Sequence, residues 1–367
     1  MNLRRHKCSS GRRFCFTGIA PLILFTMILI LSLTSHEPAF AEEELTDGYF
    51  TLIDEDNNEI FHTAIVLHPG DIFISEDNKA YEVVSIHEQT AKARISETVT
   101  LDDTEEGSQQ TTGSRLSAYL QVIGDSISRI FLAGQQQTAK TVVIYNTHSD
   151  ESYEPTSGTS TKDWGDVYKV AAAFEDALKK HGFNVVRATD NHNPHDGAAY
   201  ARSRRTLAQL LKERPVAAFD IHRDAVPPEV YRTKVQGEDV TKITLVIGQQ
   251  NQTRGQNLAF AKKLKSATDS KVPALVKGIL WARGNYNQDM LPRAALLEVG
   301  AHTNSLEEAE KAIGLFASAI APAILGAESA TGFQQGSPGR SIAWIIAILI
   351  AGSIGYLLVS SRKRKVH

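Results

Sequence analysis

The segment Thr141-Val142-Val143-Ile144-Tyr145 does not alternate polar with apolar residues. A strand of this kind has to be covered on both faces, which places it at the centre of a sheet. Similar short runs recur at Asn184-Val185-Val186, Val216 to Ile221, Thr244 to Ile247 and Ala294 to Val299. Between them lie stretches with apolar residues at helical spacing: Val167 to His181, closed by Gly182, then Gly197 to Glu213, Asn257 to Ala267 and Leu306 to Leu325. Strands that alternate with helices predict an α/β domain, a sheet flanked by helices on both faces, over residues 139–327.

The chain has 367 residues, room for more than this one domain at about 100–200 residues each. Residues 48–98 read as a small β-rich module. Tyr49 to Ile53, Phe61 to Leu67 and Tyr81 to Ile86 are β-branched and aromatic, with turns at Pro69-Gly70-Asp71 and Asp77-Asn78. Nothing there has catalytic spacing, so an accessory or positioning role is expected. Residues 99–138 read as a linker, acidic and then rich in Gln, Thr and Gly. Within it, Leu116 to Leu132 has helical spacing and could pack on the next domain or meet a partner.

Both ends predict export and anchoring. Residues 1–41 combine a basic start (Arg4, Arg5, Lys7, Arg12, Arg13), an apolar run from Ile19 to Leu33 and the small-x-small motif Ala39-Phe40-Ala41. This is either a cleaved signal peptide or an anchor. Residues 342–359 are uncharged and long enough to cross a bilayer as a helix. The tail 360–367 carries Arg362-Lys363-Arg364-Lys365, which belongs on the cytoplasmic side. The chain between is therefore expected outside the cell membrane. Residues 42–340 hold 41 acidic and 30 basic side chains, a net charge of −11. That balance argues against nucleic acid as a partner. Both cysteines, Cys8 and Cys15, precede this region, so it has neither disulfides nor thiol chemistry.

Reactive groups in open α/β sheets collect beyond the carboxyl ends of strands. His148 follows one predicted strand, and His222 follows another within Asp220-Ile221-His222-Arg223-Asp224. Glu298 sits inside the apolar strand Ala294 to Val299, where a carboxylate must be paired or functional. Two histidines and a carboxylate suffice for a catalytic zinc, leaving one position for water. His148, Glu151 and His222 would form that set, and Glu298 could carry a proton to a leaving amine. The same residues, taken singly, are also compatible with hydrogen-bonded structural roles. No His-Glu-x-x-His helix is present to suggest a protein-cutting zinc peptidase.

Several segments together resemble the stage II sporulation protein P family, cell-wall hydrolases related to zinc N-acetylmuramoyl-L-alanine amidases. They are Ile144 to Tyr153, Asp220 to Ala225, Tyr286-Asn287-Gln288-Asp289 and Leu297 to Ala309. The resemblance covers Val142 to Leu325. It implies an amidase-like fold, Zn2+ held by His, Glu and His in chain order, and a late catalytic glutamate. His148, His222 and Glu298 match those positions. For the middle ligand Glu151 is favoured, with Asp166 and Glu154 as alternatives. Where the family often has His-Thr-His, this chain has Asn146-Thr147-His148, which puts a metal role for position 146 in doubt. Arg223, Asn287, Gln288 and Asp289 would bind substrate or form structural hydrogen bonds. His302 could support Glu298, while His192 and His195 are read as non-ligands. The resemblance further implies cleavage of peptidoglycan amides and cross-links during septal thinning and engulfment, with stage II sporulation proteins D and M as partners. A non-catalytic or partner-activated wall-binding scaffold is the alternative.

Overall fold

The computed structural model describes residues 44–45, 47–101 and 140–326. The predicted signal or anchor, most of the linker, the span at 342–359 and the basic tail lie outside the described residues. Among the described residues, no helix is long and apolar enough to cross a membrane.

Thirteen strands form on these segments. The N-terminal region gives β1 (Phe50–Ile53), β2 (Glu59–Thr63), β3 (Ile72–Ser75), β4 (Lys79–His87) and β5 (Thr90–Thr98). The rest gives β6 (Thr141–Tyr145), β7 (Asn184–Arg187), β8 (Ala217–Asp224), β9 (Arg232–Val235), β10 (Glu238–Thr241), β11 (Ile243–Gly248), β12 (Val276–Ala282) and β13 (Ala294–Ala301). Four main helices intervene: α1 (Val167–Lys180), α2 (Ala199–Leu210), α3 (Arg254–Lys271) and α4 (Leu306–Gly326). Strands β9 and β10 pair only with each other.

The other eleven strands form one sheet, in the order β2-β1-β5-β4-β3-β12-β11-β13-β8-β6-β7. The β-rich module is therefore not a separate body. Strand β3 pairs antiparallel with β12, from Gly278 opposite Ser75 to Trp281 opposite Ile72. Nor is the sheet uniformly parallel, because β13 runs antiparallel to β11.

Alternate residues of the doubly covered strands enter different cores, as the pleat requires. Val142 and Ile144 of β6 join Phe219, Ile221, Leu297 and Val299 beneath α1, α3 and α4. Val143 and Tyr145 point the other way, to Leu207 and Leu210 of α2. On that second face Val246, Leu280 and Leu296 pack with Phe50, Leu52, Phe61 and Phe73. Helices were expected to cover both faces. Instead three cover one, while α2 and the N-terminal strands share the other. Helix α1 shows the physical basis of the first face: Val167, Val170, Ala171, Phe174 and Leu178 form one buried stripe. Lys179 and Lys180 sit in its last turn, where they favour the negative end of the helix dipole.

Candidate metal centre

The carboxyl ends of β6 and β8 lie side by side, since Tyr145 pairs with Asp220. The chain leaving β6 brings in His148 and Glu151, and β8 contributes His222. Glu151 Oε1 lies 3.2 Å from His148 Nδ1 and 3.3 Å from His222 Nδ1. A fourth group arrives from outside the α/β domain: Glu44 Oε1, 3.6 Å from His148 Nδ1. One donor atom from each of Glu44, His148, Glu151 and His222 lies within 4.8 Å of the others.

These residues fit a zinc ion. Tetrahedral ligands at about 2.1 Å from a metal stand roughly 3.4 Å apart, close to the three separations just given. His222 is fully buried, and neither of its ring nitrogens has a partner with hydrogen-bond geometry. Nδ1 faces Glu151, and Nε2 lies 3.1 Å from Asp220 Oδ1. A buried imidazole so poorly satisfied by protein is suited to a ligand rather than to a structural role. Two imidazoles and carboxylates are also the donor chemistry that zinc accepts.

The surrounding groups hold this set in place. Asp220 accepts hydrogen bonds from Thr147 N at 2.8 Å and Thr147 Oγ1 at 2.5 Å, which ties the His148 loop to the strand of His222. The second oxygen of Glu151 accepts from Arg223 N at 3.0 Å. Gly165 lets the chain cross beneath Glu151, because a Cβ there would sit 2.1 Å from Glu151 O. Burial pushes the Glu151 carboxyl up, but the charges on His222 and Arg223 and the hydrogen bond from His148 hold it well below the usual range. Burial likewise pushes His222 down, and Asp220 and Glu151 overcome it and raise it well above the usual imidazole value. The pocket thus draws positive charge, whether as protons or as a cation.

Glu298 lies one strand away, in register: its Cα is opposite His222 on β8 and Thr244 on β11. The ladder between β8 and β13 is irregular just beyond it, between Glu298 and Ala301. Gly300 in that bulge has φ of 74°, and a Cβ there would meet Thr241 Cγ2 at 2.7 Å. Glu298 is 1% exposed and contributes to the electrostatic surroundings of Arg223, Tyr153 and Tyr231.

A family model described as stage II sporulation protein P matches residues 52–321. The chain belongs to that family. Stage II sporulation protein P of Bacillus subtilis (strain 168) is 30% identical over 193 residues, which cover 47% of this chain and 48% of that protein. The chain thus matches about half the length of this curated relative. Among solved structures, an N-acetylmuramoyl-L-alanine amidase from Clostridium difficile 630 shares 20% identity with a TM-score of 0.36, covering 53% of this chain and 100% of that one. The amidase AmiC2 of Nostoc punctiforme gives 17% and 0.34, over 52% of this chain and 97% of its own. The CwlD amidase from Clostridioides difficile, in complex with the GerS lipoprotein, gives 15% and 0.35 over 52% and 100%. No activity is read from likenesses at this level.

Within the family frame, the structure sorts the remaining residues. Asp166 is buried but lies outside the cluster. It accepts from Ser157 Oγ at 2.5 Å and pairs with Lys162 and Lys169 at 2.7 and 3.0 Å. Glu154, the other alternative, begins a one-turn helix, Glu154–Ser157, and is exposed. Asn146, where the family often has histidine, donates to Ile221 O at 2.8 Å and so braces β6 against β8. Asn287 and Gln288 are buried. Asn287 Nδ2 donates to Tyr200 O and Ser203 Oγ, and Gln288 bonds Val246 O and Gly248 N. Asp289 is held by Arg204 through two contacts of 2.7 and 2.6 Å. Arg223 is 4% exposed, and its Nη2 donates to Ser160 O. His302 carries a backbone bond to Asp224 O at 2.8 Å. His192 is buried and bonds Asn146 O and Thr206 Oγ1. His195, read as a non-ligand, stacks on His148 with ring centroids 3.9 Å apart and lies beside the cluster.

Glu44 escaped the sequence reading. The only signal was a short acidic run, Glu42-Glu43-Glu44, following Ala39-Phe40-Ala41. Nothing local linked it to His148. The link exists because Glu44 bridges to Ile65 and Leu45 N donates to Ala64 O at 2.9 Å.

Proposed function

We propose that this protein is a zinc-dependent peptidoglycan hydrolase, an N-acetylmuramoyl-L-alanine amidase that thins septal wall during sporulation. The single observation that carries this reading is the convergence of His148, Glu151 and His222 at two strand ends, with Glu298 in register on the next strand. Family membership supplies the sporulation context and the wall as substrate. Cleavage of peptide cross-links would be a second activity of the same centre. The apolar segments at 19–33 and 342–359 support a membrane-anchored protein with its catalytic region outside the cytoplasm and the basic tail inside. Stage II sporulation proteins D and M are the expected partners.

His148, Glu151 and His222 would hold the zinc, with the Asp220 carboxylate 3.1 Å from His222 and the Arg223 amide orienting Glu151. When bound, the ion polarises the substrate carbonyl and lowers the pKa of water to about 7. Glu298 accepts the proton of the attacking water on a carboxylate oxygen and passes it to the leaving amine. The positive charge of Arg223, together with that of His222, holds the Glu151 carboxyl ionised against its burial. Arg223, Asn287, Gln288 and Asp289 are the candidates for substrate contact.

The test is digestion of purified peptidoglycan by residues 42–340, with and without a zinc chelator, with products resolved by mass. Stem peptides released from glycan, and lost with chelator, are expected. Separated cross-links would add the endopeptidase. Zinc bound and wall retained without any cleavage would refute an enzyme active on its own and favour a partner-activated or wall-binding protein.

A further inference from the structure

Glu44 is the member of the cluster that does not belong to the α/β domain. His148, Glu151 and His222 all come from strand ends of the main sheet. Glu44 comes from the N-terminal segment, where it bridges to Ile65 and Leu45 N donates to Ala64 O. It is also the most exposed of the four side chains, at 16% against 5%, 0% and 0% for His148, Glu151 and His222. Its place is therefore the solvent side of the cluster, where substrate would arrive.

A hydrolytic zinc needs three protein ligands and one position open to water. With His148, Glu151 and His222 as the three, Glu44 occupies the fourth. We propose that Glu44 is a displaceable fourth ligand that closes the metal to water at rest and swings away when the wall amide enters. The proposal rests on the zinc reading above. The step is a ligand exchange: the carboxylate leaves with its charge, water takes its place, and no bond to carbon changes.

The structure also supplies a place for the released carboxylate. Glu44 Oε2 already lies 3.4 Å from His195 Nε2, and His195 Nδ1 is anchored 2.9 Å from Asp150 Oδ1. A small rotation about the Glu44 side chain can trade the cluster for His195 without moving the backbone. The bridge itself is set by the catalytic strand, since Ala64 N donates to Asp224 Oδ1 at 2.8 Å, two residues beyond His222. The N-terminal strands thus aim a ligand at the metal as well as extending the sheet.

The experiment uses the full chain in detergent, as wild type, E44A and E44Q, with H148A as control. Zinc affinity is measured by competition with a chromogenic chelator, and access to the metal by azide titration of the cobalt-substituted protein, followed by its visible spectrum. Peptidoglycan cleavage is measured at saturating zinc. Loss of the fourth ligand should weaken zinc at least about tenfold. It should also let azide bind where the wild type resists it, and raise the cleavage rate severalfold. Unchanged affinity and azide access in both Glu44 variants, with metal lost in H148A, would overturn the role of Glu44 alone. Weaker zinc together with slower cleavage would show a permanent ligand and also overturn the proposal. No zinc bound by the wild type would overturn the metal centre, and this inference with it.

Discussion

Glu151 and Asp166 are both buried carboxylates near the start of the α/β domain, and they should respond in opposite ways to conversion to the amide. Asp166 is held by Lys162 and Lys169, and its carboxyl is pulled from its ordinary 3.8 to about 2: burial raises it, and the bonds from Lys162, Ser157 and Lys169 outweigh burial. That displacement corresponds to about 2.4 kcal/mol of stability. The lysines are 34% and 56% exposed, so solvent screens roughly half of it and about 1 kcal/mol remains. Asp166→Asn should therefore lower Tm by about 2–4 °C at neutral pH. Because the folded-state pKa is depressed, the contribution is present above the ordinary value and is lost as pH falls toward 2. The gap between wild type and D166N should accordingly close in acid, and zinc affinity should stay within about twofold of wild type. Glu151→Gln should do the reverse at the metal. It keeps an acceptor for Arg223 N but removes the anionic ligand, and zinc should weaken by at least about 100-fold. Thermal unfolding across pH and chelator competition on the two variants would decide it. Zinc lost in D166N and retained in E151Q would refute the ligand assignment.

Three further outcomes are expected. Glu298→Gln should bind zinc normally yet cleave peptidoglycan at least about 100-fold more slowly; near-full turnover would remove the proton-carrying role. Gly165→Ala should displace the Glu151 backbone, since its Cβ would lie 2.1 Å from Glu151 O. Both zinc affinity and urea-unfolding midpoint should fall, and a neutral effect on both would show that the crossing is not constraining. Lys277 is lowered to about 7 by burial, partly offset by Asp224. The unfolded chain then binds the extra proton between about pH 7 and 10.5, so stability from this residue rises with pH through that window. Lys277→Met should raise Tm most below pH 7, and an advantage that failed to shrink toward pH 10 would contradict this.

Sequence legibility followed burial. β6, β8 and β13 were readable because strands covered on both faces must be apolar throughout, and α1 because its stripe repeats at helical spacing. His148, His222 and Glu298 stood out because polar groups at such strand ends are costly unless they are used, and Glu151 only through its place in the segment of His148. Pairing was not readable. Nothing in Ile72 to Ser75 states that its partner is β12 rather than another N-terminal strand, because alternation specifies a face and not a neighbour. Asn287 and Gln288 illustrate the opposite difficulty: a polar string in a loop does not disclose its backbone partners, Tyr200 O and Val246 O. Glu44 combined both problems, being polar, local to nothing and delivered by a long-range bridge.

The seam between β3 and β12 makes this protein hard to divide. The two strands approach so closely that a Cβ on Gly278 would sit 2.4 Å from Ile74 O. Cutting the chain within the linker would leave a fragment with every helix of the described residues and the three main-sheet ligands, but with the β12 edge bare. Val276, Ile279, Leu280 and Ala282 are buried along that strand, and an apolar edge with unpaired backbone groups recruits other chains. Fragments begun at the linker should precipitate or form edge-to-edge assemblies, while those that keep the N-terminal strands should stay monodisperse. The boundary suggested by composition is not a joint in the fold.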